Sequence, residues 1–248
     1  ALAAIGGTVA VDAAAQEVVQ ALPNPASQQL TEALQRLSRN PESLPALVDA
    51  GRASLELNDI DAAAGFFGRA RAVSPTDSRV LSGLAVVSLR QADPLAAIDL
   101  FEQADLAGAP ADGQAADRGL AFDLIGDNAN AQRMYAIALA QNDSPETVRR
   151  LALSYAIAGD LEASEATLLP LLQRRDLSAY RTRAFVLAIH GKADEAVSIA
   201  ETLLPATLAR RMAPYLRYMP RLTRAQQAAA ANLGSFPEAS QIGRDDPR

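Results

Sequence analysis

The chain has 248 residues, 49% of them hydrophobic but only 4% aromatic, so a core must be built mainly from alanine, leucine, valine and isoleucine, a mixture that favours closely packed helices. Its net charge of -6 argues against non-specific nucleic-acid binding, which depends on neutralising phosphates. With no cysteine, disulfides, thiol catalysis and Cys-ligated metal are excluded, and no stretch reaches the roughly 18 apolar residues of a membrane-spanning helix.

Residues 1–15, "ALAAIGGTVAVDAAA", have two readings. They resemble the end of a secretory signal peptide, with Ala13, Ala14 and Ala15 as a small-residue cleavage site before Gln16, which implies export to a periplasm. The other reading is an N-terminal arm, compatible with a cytoplasmic protein. Within 16–43, "SQQLTEALQRLSRNP" places Leu30, Leu34 and Leu37 on one stripe and predicts a capping helix starting near Ser27.

From residue 44 to 208 one spacing recurs. Ala63, Ala97 and Ala131 are 34 residues apart, as are Phe67, Phe101 and Tyr135, and Ala70, Ala104 and Ala138. A fixed period of this length within helix-compatible sequence predicts helix-turn-helix repeats, here 44–77, 78–111 and 112–144, with turns at "NDI", "ADP" and "GDN". Two weaker copies follow at 145–176 and 177–208, with turns at "GDL" and "GKA", the fourth carrying Pro170, which should end or kink its second helix. Positions i, i+4 and i+7 share a helical face, so each second helix presents one large side chain between two small ones, and only stacking against a neighbour buries that face.

This pattern resembles the tetratricopeptide repeat (TPR) family. The family's small residue on the first helix matches Gly51, Ala85, Gly119, Ala152 and Ala184, and its closing proline matches Pro75, with Pro110 and Pro145 slightly displaced. The aromatic common early in the first helix appears only as Tyr180; Leu47, Leu81, Ala115 and Val148 stand there in the other units. The resemblance implies an all-α, right-handed solenoid of about five helix pairs, capped at both ends, with first helices lining a concave face. On that face would lie Arg52, Arg79, Arg90, Arg149 and Arg181 beside Val86, Leu120, Leu153 and Phe185. Such a groove suits a peptide or helix carrying acidic groups, because guanidinium pairs well with carboxylate. The plainer alternative is solvated arginines with packing residues between them. The Lys and Asn pattern of the family's carboxylate-clamp members is missing.

At the carboxyl end, 209–233 reads as a capping helical region, with "LARRMAPYLRYMPRL" interrupted at Pro214 and ending at Pro220. Residues 202–237 contain no Asp or Glu, and Arg210, Arg211, Arg217, Arg221 and Arg224 alternate with Met212, Tyr215, Tyr218 and Met219. Either this stretch meets an anionic surface or partner, or Met and Tyr cap the last repeat while the arginines face water. Residues 234–248 read as a linker or tail.

Residues that carry chemistry are few. His190 is the sole histidine, at a helix end, and Asp59, Asp93, Asp127 and Asp160 recur at the turns, where an Asp caps the next helix. No nucleophile motif, metal cluster, cofactor site or phosphate loop is found. The reading is a non-catalytic protein-protein interaction scaffold with a protein or peptide partner and no nucleic acid. Its alternatives are a structural spacer or self-assembling solenoid and, third, a helical-solenoid glycan-processing enzyme using turn carboxylates. The layout is also similar to bacterial cell-envelope proteins that join TPR repeats to a C-terminal SPOR domain, a domain not found in these 248 residues.

Overall fold

A computed structural model describes residues 24–110 and 113–245; the two readings of residues 1–15 fall outside them. The described residues form thirteen α-helices. The first, α1 (Pro25–Arg39), is followed by five antiparallel pairs: α2 (Leu44–Glu56) with α3 (Ile60–Val73), α4 (Ser78–Arg90) with α5 (Pro94–Leu106), α6 (Ala115–Leu124) with α7 (Asn128–Gln141), α8 (Pro145–Ala158) with α9 (Leu161–Gln173), and α10 (Leu177–Ile189) with α11 (Ala193–Leu203). Then come α12 (Ala206–Tyr218), a 3-10 turn (Met219–Arg221) and α13 (Arg224–Leu233).

One turn design repeats inside the pairs. Asn58, Ala92, Gly126, Gly159 and Gly191 all have positive φ, between 59° and 100°. Each is followed by a residue whose N–H bonds back across the helix end, as Asp59 does to the Ser54 carbonyl at 2.8 Å and Lys192 to the Leu187 carbonyl at 2.9 Å. In four turns that residue is the Asp noted above, and Asp59, Asp93, Asp127 and Asp160 each accept from a backbone N–H of the next helix. Lys192 makes no such cap in the fifth.

The 34-residue stripe forms the core between pairs. Ala63, Phe67, Ala70, Ala97, Phe101, Ala104, Ala131 and Tyr135 are all buried. The Phe67 ring lies between two glycines: a Cβ added to Gly51 would come within 2.7 Å of it, and one added to Gly83, on the next pair, within 2.2 Å. Gly119 makes the same socket for Tyr135, where a Cβ would lie 2.5 Å from the ring. Phe101 is packed differently, with the Arg118 guanidinium 4.8 Å above its ring and paired to Asp105 at 2.6 Å.

Four sequence expectations need correction. On α1 the buried residues are Ala26, Ala33 and Leu37, while Leu34 is 45% exposed; alanine, not leucine, is what lets α1 approach α2 closely. Helix α9 continues through Pro170 to Gln173. Pro170 is exposed, and Leu168 and Leu171 beside it are buried, each contributing roughly 1.5–3 kcal/mol against a proline cost of about 3 kcal/mol. Helix α12 likewise continues through exposed Pro214, held by buried Ala209 and Leu216. The stretch after Gly234 is no linker as far as Asp245: Phe236 and Ile242 pack into the cluster formed by α10, α11 and α12.

Candidate interaction groove

First helices α2, α4, α6, α8 and α10 each touch their successor, whereas the second helices make no comparable contacts among themselves, so the first helices form the inner side of the curve. Across that side, along α6, α8 and α10, lies α13. Its sequence prepares it to be a helix. Thr223 and Gln226 form a reciprocal capping box, Gly234 ends it in the left-handed conformation, and alanine, the strongest helix former, fills the middle.

The docking face of α13 is small. Gln227, Ala228 and Ala230 are buried. Ala228 shares a cluster with Leu120, Ala121, Leu124 and Ile157 of α6 and α8; half-buried Ala231 packs on the cluster of Leu153, with Phe185 and Ile189 beside it. The start of α13 abuts the α6–α7 turn, where a Cβ added to Gly126 would lie within 4 Å of Arg224 and Ala225.

This arrangement fixes where the expected groove residues stand. Leu120 and Leu153 are buried beneath the α13 layer, and Phe185 is half-buried there, so none forms an open floor. Val86 is also buried, packed into the same cluster as Leu120. Arg149 is half-buried and paired with Asp176 at 3.2 Å. It and Leu153 line a small polar pocket with Glu146, Arg150, Thr182, Ala231 and Asn232. Arg79 is paired with Asp77 at 2.8 Å, which holds that carboxyl below its usual range while Asp77 caps α4. Arg181, exposed, donates to the Ser178 hydroxyl at 2.9 Å. Arg52 and Arg90 are exposed on α2 and α4, outside the span of α13.

Sequence reasoning missed a buried carboxylate at the seam between the third and fourth pairs. Asp123 is fully buried and accepts from Asn128 Nδ2 at 2.7 Å, Ser154 Oγ at 2.7 Å and Tyr135 OH at 3.0 Å. Burial pushes its pKa up to about 6, against the lowering effect of those three hydrogen bonds. The signal was present: at position 135 the repeated aromatic is Tyr, whose hydroxyl needs a buried partner. Nearby, Asp117 is raised by desolvation, opposed by Arg150 and Arg90; Arg150 lies 3.7 Å from Asp117 and also pairs with Glu146. Among the described residues no cluster of His, Asp and Glu is placed to hold a metal, and no helix is long and apolar enough to cross a membrane.

Stacked helix pairs, small residues facing an aromatic knob, and an inner face of first helices together define a TPR fold. Solved structures agree. The chain is similar to a tetratricopeptide repeat protein from Parabacteroides merdae (17% identity, 85% of this chain and 86% of that one, TM-score 0.57). It is also similar to YrrB, a TPR protein with an unusual peptide-binding site (15%, 74% and 97%, 0.52), and to a thermophilic TPR protein from Thermus thermophilus (24%, 65% and 90%, 0.51). At these identities the likeness is one of fold. No family model matches the chain, and no curated protein does.

Proposed function

We propose that this chain is a non-catalytic protein-interaction scaffold that takes a peptide or helix on its inner face, in a bacterial periplasmic or envelope complex. One observation carries the reading: the inner face already holds a helix, α13, along α6, α8 and α10. The uncovered part, over α2 and α4, keeps Arg52 and Arg90 exposed, which suits acidic groups on the partner. The peptide-binding site named for YrrB supports the same use of this fold. Catalysis finds little support, because the turn carboxylates are committed to helix caps and Asp123 is closed off with three donors. The envelope setting rests on the signal-like character of residues 1–15.

The test is affinity capture from the native cell, with partners identified by mass spectrometry, comparing the natural chain with the double variant Arg52→Glu/Arg90→Glu. Recovery of the main partner falls at least tenfold in the variant. Equal recovery removes the open half of the groove as the binding face.

A further inference from the structure

The fifth pair lacks two side chains that close the first. In the first pair Phe66 packs beside Leu44 on the cluster of Leu47, and Arg69 Nη2 donates to the Pro41 carbonyl at 2.8 Å. Counted from the matching alanines Ala63 and Ala196, the places of Phe66 and Arg69 hold Ile199 and Thr202 on α11, and those of Leu44 and Leu47 hold Leu177 and Tyr180 on α10. The isoleucine is smaller than a phenyl ring, and the Thr202 hydroxyl turns back to the Ser198 carbonyl of its own helix at 2.9 Å. A cleft of about 450 Å³ stands open there, walled by Leu177, Tyr180, Ile199 and Leu203. Leu177 is 65% exposed, and the Tyr180 hydroxyl is spent on the Leu172 carbonyl at 3.4 Å, so the walls offer mainly carbon.

A single charged residue, Arg175, lies on this lining. It is exposed and makes no ion pair or side-chain hydrogen bond among the described residues, whereas the neighbouring Asp176 is taken by Arg149 and by the cap of α10. We propose that the cleft is a binding site for a small anionic amphiphile, a medium-chain carboxylate whose tail lies against Leu177, Tyr180, Ile199 and Leu203 and whose head pairs with Arg175. An apolar cleft within about 300–1,000 Å³, carrying few polar groups, has the size and lining of a small-molecule site. The guanidinium at its edge has no partner of its own and selects a carboxylate head over a cationic one. The Ser198 hydroxyl, also on the lining, is free to donate to the second carboxylate oxygen. Four of the seven lining residues belong to α11, a second helix, so the site stands apart from the inner face built by first helices and does not rest on the inner-face reading.

The experiment is calorimetric titration of the full chain with dodecanoate, kept below its micelle concentration, and with dodecyltrimethylammonium, which carries the same tail on a cationic head. Dodecanoate is expected to bind at least tenfold tighter than the cation. Ile199→Phe/Thr202→Met restores the bulk that Phe66 and Arg69 supply in the first pair without adding a charge, and lowers dodecanoate binding at least tenfold. Arg175→Gln removes the preference for the carboxylate and leaves the affinity for the cation unchanged. Should the filled variant lose helicity, Leu177→Glu takes its place: the position is exposed in the first turn of α10, where a carboxylate suits the helix end, and the added charge lowers dodecanoate binding at least tenfold. Equal dodecanoate binding by the natural chain and the variants overturns the site, as does no binding by the natural chain. Equal binding of the two head groups overturns the anionic class. A dimer of the natural chain in light scattering that the filled variant dissolves overturns the small ligand in favour of a second copy over the cleft. The Arg52 and Arg90 capture reads a different face, so either result can fail without the other.

Discussion

In the pairs α2–α3, α4–α5 and α6–α7 an aromatic ring, Phe67, Phe101 or Tyr135, fills the seam to the next pair, whereas in α8–α9 and α10–α11 the same position holds Leu168 and Ala200. The flanking small residues change with it. Gly51 and Gly119 receive rings at the position that holds Ala85, Ala152 and Ala184 in the other first helices, and Gly83 adds a second socket for Phe67. Where the knob shrinks, other elements supply the missing apolar surface. Helix α12, with Leu216 and Met219, and α13, with Ala228 and Ala230, cover the last pairs from the end and from the inner side. A repeat array therefore closes in two ways, by a large side chain within each seam or by an added helix across several seams.

The comparison breaks first at the rings. Truncating Phe67 or Phe101 to Ala lowers stability by about 3–5 kcal/mol, the range for a buried Phe, with Phe67 at the upper end because its glycine neighbours have no side chains to collapse into the space. Thermal or denaturant melts read this; an unchanged midpoint would contradict ring-filled seams. Ala200→Gly, at the matching place in the last pair, costs only about 1 kcal/mol, the helix-propensity difference.

A pH effect of similar origin marks the third seam. The native pKa of Asp123, about 6, exceeds its value of 3.8 in an unfolded chain, so ionisation is costlier in the folded state. Stability is greatest where Asp123 is protonated and falls as pH rises through the window from about 4 to 6, by up to about 3 kcal/mol at 1.36 kcal/mol per pH unit. Asp117, shifted the same way, adds to this, whereas Asp77 is shifted oppositely and costs stability only at lower pH. Melting temperature should thus rise from pH 7 to pH 5, and Asp123→Asn should flatten most of that rise. A slope unaltered by the substitution would place the titrating group elsewhere.

A smaller effect than that of losing the ring is more local. Gly83→Ala gains up to about 1 kcal/mol in helix propensity but forces the Phe67 ring aside, for a net loss of about 1–2 kcal/mol. In Phe67→Leu the same change becomes neutral or stabilising, and a double-mutant cycle measures the coupling.

Much of the fold was legible because it is periodic. The alanine-aromatic-alanine stripe and the turn aspartates repeat at one interval, and repetition converts weak local preference into a pattern. The exceptions share a cause, since each depends on a contact with no repeat behind it. Pro170 stays helical because Leu168 and Leu171 hold its turn, and Leu34 is exposed because Ala26, Ala33 and Leu37 take the buried side of α1. The placement of α13 was hidden for a different reason: the apolar face of "RAQQAAAANL" is made almost wholly of alanine, which announces a helix but not the element that it packs on. Of the candidate groove residues, Arg52, Arg79, Arg90 and Arg181 are exposed, whereas Leu120, Leu153 and Phe185 lie in the clusters that α13 joins.

The ring of Phe67, gripped by glycines from two successive pairs, belongs to neither pair alone. Under mechanical load along the solenoid such a ring acts as a rivet, and the two plates it joins yield together. The last seam, with Ala200 in the rivet's place, has none. Pulled at both ends, the array is expected to part there first, shedding the carboxyl-terminal helices while the amino-terminal pairs keep their grip.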